Sequence, residues 1–158
     1  MIVDYSKFER GINFCADVII EDGGSDKTIE AQIQPDNNHE IPESGKETLE
    51  FFLVNYSKYK QFLLDHIFEY YQKQRKSWGT VEPNDPKFPE VKDKNKMYEM
   101  VSLNTVTVYE DTYSDKRTIG LFYDCTWDEE EGMGIAIALG NTVSETKVVK
   151  IGNIGDVY

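Results

Sequence analysis

The carboxylates of this chain bunch most tightly at Asp128, Glu129, Glu130 and Glu131, four in a row behind Trp127, with Asp124 a few positions before them. Three kinds of chemistry use side chains of this type. A calcium centre needs six to eight oxygens converging on one point, and an EF-hand spaces them at alternate loop positions around a central glycine. Consecutive side chains in a tight turn splay outward, so the four acids do not all converge, and the EF-hand spacing is absent. Acid–base catalysis needs two carboxylates roughly 5–9 Å apart in different environments. Asp124 and Asp128, flanking Trp127, are the pair offered here, because a carboxyl against an apolar ring has a raised pKa. The third use is electrostatic: a dense, solvated run of acids steers a basic partner toward the surface that carries it.

The remaining reactive residues support no catalytic assignment. Cys125 sits beside Asp124 and close to Asp128, and neighbouring carboxylates raise a thiol pKa where a nucleophile needs it lowered. Cys15 and Cys125 form no CxxC pair, so they read as two free, mostly buried thiols in a reducing compartment. His39 lies in the loop "DNNHEI" and His66 beside a helical apolar stripe, with no HxxxH or HExxH spacing between ligands. "GMGIAIALGN" supplies only G-x-G, on a strand rather than before a helix, and so lacks the geometry of a dinucleotide site. No catalytic residue, metal or cofactor is assigned.

The elements that must position the acids follow from periodicity. "GINFCADVIIEDGGSDKTIEAQIQPD" reads as a hairpin turning at "EDGGSDK", where glycine accepts positive φ. From Lys46 to Lys76, Phe52, Tyr56, Tyr59, Leu63, Ile67 and Tyr70 step by three or four and mark one apolar face of a long helix, with "NYS" at 55–57 a possible interruption. "SWGTVEPNDPKFPEV", with three prolines, is a surface connection, and "DKNKMYEMVSL" a short second helix. "NTVTVYED", "KRTIGLFYDCTW", "GMGIAIALGN" and "ETKVVKIGN" read as strands joined by short turns. The expected fold class is α+β: an antiparallel sheet of about five to six strands, one long helix on one face and a short second helix, in a single domain over 1–158. The acids then fall at the hairpin turn, Gly132 and Gly134 supply its positive φ, and Trp127 anchors the strand end. "YYQKQRK" with "SWG" is a mixed aromatic and basic helix end, whose cations also suit the helix dipole.

Composition sets the partner class. The net charge is −12, with twelve acids against four bases in residues 1–54 and eleven against four in 97–158. Such a chain repels phosphate backbones, which argues against nucleic acid. No apolar run approaches the ~20 residues of a membrane span, and the start lacks a signal-peptide pattern, so the expectation is a cytoplasmic protein with no membrane contact.

"GLFYDCTWDEEEGMGIAIALGN" followed by "KVVKIGNIGDVY" resembles a bacterial family of uncharacterised domains with a Cys-Thr-Trp-Asp-Glu-Glu-His-Gly-Leu-Gly type of hairpin motif. "EYYQKQRKSW" and "MYEMVSLNTVTVY" extend the resemblance to about residues 45–158. Glu131 stands where that motif has His, and Asn153 stands in a paired-glycine tail. The resemblance implies a shared fold and no particular activity; its members are similar in size and context to immunity and accessory proteins of toxin systems. The reading that results is a non-enzymatic interaction protein. It binds a basic protein through an acidic face carried by Trp127, Asp128, Glu129, Glu130 and Glu131. Two alternatives stay open. One is a carboxylate-dependent enzyme or metal-binding protein using Asp124 and Asp128; the other is a domain that self-associates, for instance as a homodimer, through exposed sheet edges.

Overall fold

The computed structural model describes residues 3–79, 81–110 and 117–157. The N-terminal hairpin forms as its sequence dictates. A two-residue strand β1 (Glu9–Arg10) pairs with the start of β2 (Phe14–Asp22), which pairs along its full length with β3 (Ser25–Ile33). Asp22 lies opposite Ser25, and Gly23 and Gly24 between them sit at φ 65° and 85°. Two positive-φ residues in a two-residue loop make the type I′ turn whose twist matches that of the strands.

The chain then enters α1 (Glu43–Ser77), 35 residues and about 52 Å long at 1.5 Å per residue. It is continuous. Asn55 bonds back through its side chain to the Phe51 carbonyl at 2.8 Å, so it sits inside the helix rather than interrupting it. The apolar face runs through Leu49, Phe52, Tyr56, Tyr59, Leu63, Ile67 and Tyr71, all buried. Tyr71, not the expected Tyr70, completes it, because 3.6 residues per turn carries the face onward by one position over such a length.

A proline-rich connection leads to a 3₁₀ turn at Lys94–Glu99 and straight into β4 (Val101–Val108). The short helix expected over "DKNKMYEMVSL" is therefore that turn plus the first residues of a strand. β5 (Arg117–Cys125), β6 (Asp128–Leu139) and β7 (Lys147–Gly152) follow, and a one-turn helix α2 (Ile154–Val157) ends the described chain. The seven strands lie in sequence order in one sheet. Every pairing is antiparallel except β3 with β4, which is parallel. That exception follows from α1: a long crossover returns the chain to the end of the sheet from which β3 started.

α1 covers one face, where Ile20, Ile29, Ile33, Leu103, Val106, Leu121, Ile135 and Ile137 join its stripe in one core. On the other face α2 places Val157 and Ile154 over Phe122 and Ala136 and reaches β7 at Gly152, and Thr107 of β4 is also buried there. On that face of β2 and β3, Asp17, Ile19, Glu21, Asp26 and Thr28 are exposed, and Cys15, Glu30 and Gln32 are half-buried.

Candidate functional site

The β5–β6 hairpin reverses at Thr126–Trp127, with Cys125 paired to Asp128. The four acids thus follow the turn and open the returning strand. Their placement arises from a bulge: Tyr123 pairs with Met133 and Cys125 with Asp128, so the four residues 129–132 of β6 stand opposite Asp124 alone. Two features close the bulge. The Glu131 amide donates to Asp128 Oδ1 at 3.1 Å, and Gly132, at φ 66°, passes so close to the Tyr123 carbonyl that a Cβ would overlap it. Gly134, expected to share the positive-φ role, is ordinary strand pressed beneath Val157. Glu129, Glu130 and Glu131 are exposed, and Asp128 is half-buried.

Trp127 turns inward. It is 5% exposed and its ring lies 4.8 Å from that of Tyr71 at 55°. It fixes the hairpin to the C-terminal end of α1 and presents almost no surface to a partner.

Asp124 and Asp128 point to different surroundings. Asp124 is on the face opposite α1, exposed, and accepts from Asn104 Nδ2 at 2.9 Å. Asp128 bonds to its own bulge. Asp124 does line an open groove of about 470 Å³ with Asp22, Glu99, Glu129, Lys27 and Ser102; Asp128 is not among its walls. This groove carries four carboxylates and one ammonium group, and Lys27 Nζ donates to Ser102 Oγ at 2.6 Å. Among the described residues no three His, Cys, Asp or Glu side chains are grouped to hold a metal ion.

Cys125 is buried, and burial pushes its thiol up to about 11, partly opposed by backbone hydrogen bonding from Asp128. Cys15 is half-buried at the other end of the sheet; burial, then the charges of Glu30 and Glu9, also raise it. His39 is exposed, and half-buried His66 packs edge-on against Phe62, 4.7 Å between ring centres. The basic helix end is engaged internally. Arg75 donates to the carbonyls of Phe88 and Glu82, each at 2.9 Å, and of Val81. Tyr71 Oη donates to Pro89 O at 2.6 Å, and the Trp78 ring lies 4.1 Å from that of Phe88, tilted by 50°. These groups pin the proline-rich connection to α1.

One polar cluster has no local sequence signal. Lys60 on α1 pairs with Asp22 at the end of β2, 2.6 Å apart, and its ammonium lies 5.1 Å from the ring centre of Tyr98. Tyr56, Tyr98 and Tyr123 line the same cavity. Burial is the main cause raising the hydroxyl pKa of both Tyr56 and Tyr123. Shifted phenols beside a lysine mark many catalytic sites, but this cavity holds about 30 Å³, the room of a single water molecule. It clamps the first hairpin to the helix rather than housing a substrate. Its members are far apart in sequence, and only the crossover brings them together.

The architecture is that of an α+β domain built on one seven-stranded sheet, with a long crossover helix on one face and the short α2 on part of the other. The chain belongs to the family described as Domain of unknown function (DUF6985), which matches residues 6–155. The match includes the N-terminal hairpin, which the resemblance read from the C-terminal motif did not reach. No curated protein and no solved structure matches the chain. No helix among the described residues is long and apolar enough to cross a membrane.

Proposed function

We propose that this single domain is a non-enzymatic interaction protein, of the immunity or accessory type, that binds a basic protein through its acidic surface. The observation that carries the reading is the continuity of that surface. The Glu129–Glu131 bulge adjoins a groove walled by Glu99, Asp124, Glu129 and the Lys60-paired Asp22, with Lys27 the one cation among its described lining residues. Trp127 serves as the buried anchor that holds the bulge in place. Charge of one sign along an open groove accelerates and orients encounter with a complementary partner, and the effect weakens with salt. The competing enzymatic reading loses support from the placement of the two carboxylates, since Asp124 lines the groove and Asp128 is not among its walls.

The test is affinity capture from the native host's lysate at low and moderate salt, with wild type and a Glu129→Lys, Glu130→Lys, Glu131→Lys variant. A stoichiometric basic protein, released as salt rises and absent from the variant, is the expected result. Equal capture by the variant overturns the assignment to these residues. A blank at both salts overturns the reading as a whole.

A further inference from the structure

The edge of the sheet at β2 carries an inference about how such a partner is held. We propose that the free half of β2 takes an extended, lysine- or arginine-bearing segment of a partner protein as an added strand; the inference rests on the basic-partner reading above.

Backbone geometry comes first. β1 covers β2 only at Phe14 and Cys15. The two-residue turn makes Asp22 and Ser25 the first pair to exchange hydrogen bonds. Alternation along an antiparallel ladder then aims the peptide groups of Ile20, Val18 and Ala16 at β3, and those of Glu21, Ile19 and Asp17 away from it. Among the described residues, no loop or turn backbone bonds to these three. They form a row of donors and acceptors spaced at about 6.8 Å, the template that strand addition uses.

Side chains supply the charge. On the face opposite α1, Asp17 lies directly opposite Glu30, and Glu21 directly opposite Asp26. Like charges in opposed positions destabilise a sheet. No cation among the described residues lies within ion-pair distance of any of the four. Between the two pairs stands Ile19, 52% exposed, opposite Thr28. An added strand reading basic–x–apolar–x–basic would set a cation beside each acidic pair and an apolar side chain beside Ile19.

The other edge is built against pairing. β7 carries Lys147 and Lys150 and a register break between their partners on β6, both devices that deter strand addition. A second copy joining β2 to β2 would set Asp17 and Glu21 against their own equivalents, so a partner of opposite charge is the occupant.

The experiment titrates isotope-labelled protein with the peptide Thr-Lys-Thr-Val-Thr-Lys-Thr, blocked at both ends. It is repeated with a version N-methylated on alternate amides and one with Glu for Lys. Backbone amide exchange is read by NMR. The expected result is new protection at Asp17, Ile19 and Glu21 with none gained at Val18 and Ile20. The N-methylated peptide should lose about tenfold or more in affinity, and the Glu peptide should not bind. Ile19→Pro, which removes an outward N–H and no β2–β3 bond, should abolish the protection; the N-methylated peptide asks the same question without altering the fold. Equal binding of the N-methylated peptide overturns strand addition while leaving acidic-face recognition intact. Absence of binding by the parent peptide overturns strand addition, and the Glu129–Glu131 capture decides the broader reading independently. Protection of the same amides by protein concentration alone, with no peptide, assigns the edge to a second copy and overturns the proposal.

Discussion

Truncating Trp127 separates a structural anchor from a partner contact. A buried aromatic of this kind removes about 200 Å² from water, and about 25 cal/mol per Å² makes that roughly 5 kcal/mol. Residual compactness of the unfolded chain lowers such figures by roughly 10–40%. The cavity left against Tyr71, whose ring lies 4.8 Å away, works in the opposite direction. Trp127→Ala should therefore cost about 3–5 kcal/mol, which in a domain of this size lowers Tm by roughly 6–20 °C. Trp127→Phe keeps an aromatic ring on Tyr71 and should cost about 1–2 kcal/mol. Urea unfolding followed by far-UV circular dichroism measures both without depending on the indole being removed. The expected signature is a lower midpoint at an unchanged slope. A loss under about 1 kcal/mol for Trp127→Ala would refute the anchor role, since a side chain only 5% exposed cannot be deleted so cheaply. Partner binding by Trp127→Phe should match wild type; a large loss with the fold intact would show that the ring itself is read.

The thiols offer a pH test. Cys125, held at about 11 by burial, should carry about one thiolate per thousand molecules at pH 8, with alkylation accelerating about tenfold per pH unit as pH rises toward 11. Half-buried Cys15 should react first, and denaturant should release both to comparable rates. A double-mutant cycle on Asp22→Asn and Lys60→Met should give a coupling of about 1–3 kcal/mol by urea unfolding, because the pair is mostly shielded from water; coupling near zero would remove the clamp from the account of the hairpin. Arg75→Lys should leave global stability within about 1–2 kcal/mol but open residues 81–90 to limited proteolysis, since an ammonium cannot reproduce the guanidinium's bonds to three carbonyls.

Local chemistry determined a great deal. The Gly23–Gly24 turn, the alternation of Ile29, Ala31 and Ile33, and the stripe from Phe52 to Ile67 each depend on neighbours within a few residues, so the hairpin, the long helix and the C-terminal strands could be read directly. The α+β class followed from their order. The acid run at Asp128–Glu131 was equally visible, but its place on the strand was not. A bulge depends on the register against Tyr123 and Cys125, which no periodicity within residues 128–132 records.

Tertiary structure decided the rest. The parallel β3–β4 pairing follows from where α1 returns the chain, and the Lys60–Asp22 clamp from which turn of the helix crosses the end of β2. The inward turn of Trp127 depends on Tyr71 arriving beneath it, and Tyr71 is buried in preference to Tyr70 by the helix's slow rotation against the sheet. Asp17 and Glu30 are thirteen positions apart in the chain and adjacent in space only because the hairpin pairs them. Composition fixes how much negative charge the molecule carries. Pairing register and crossover decide where that charge lies uncompensated, because both are set by contacts between segments that a single stretch of sequence does not contain.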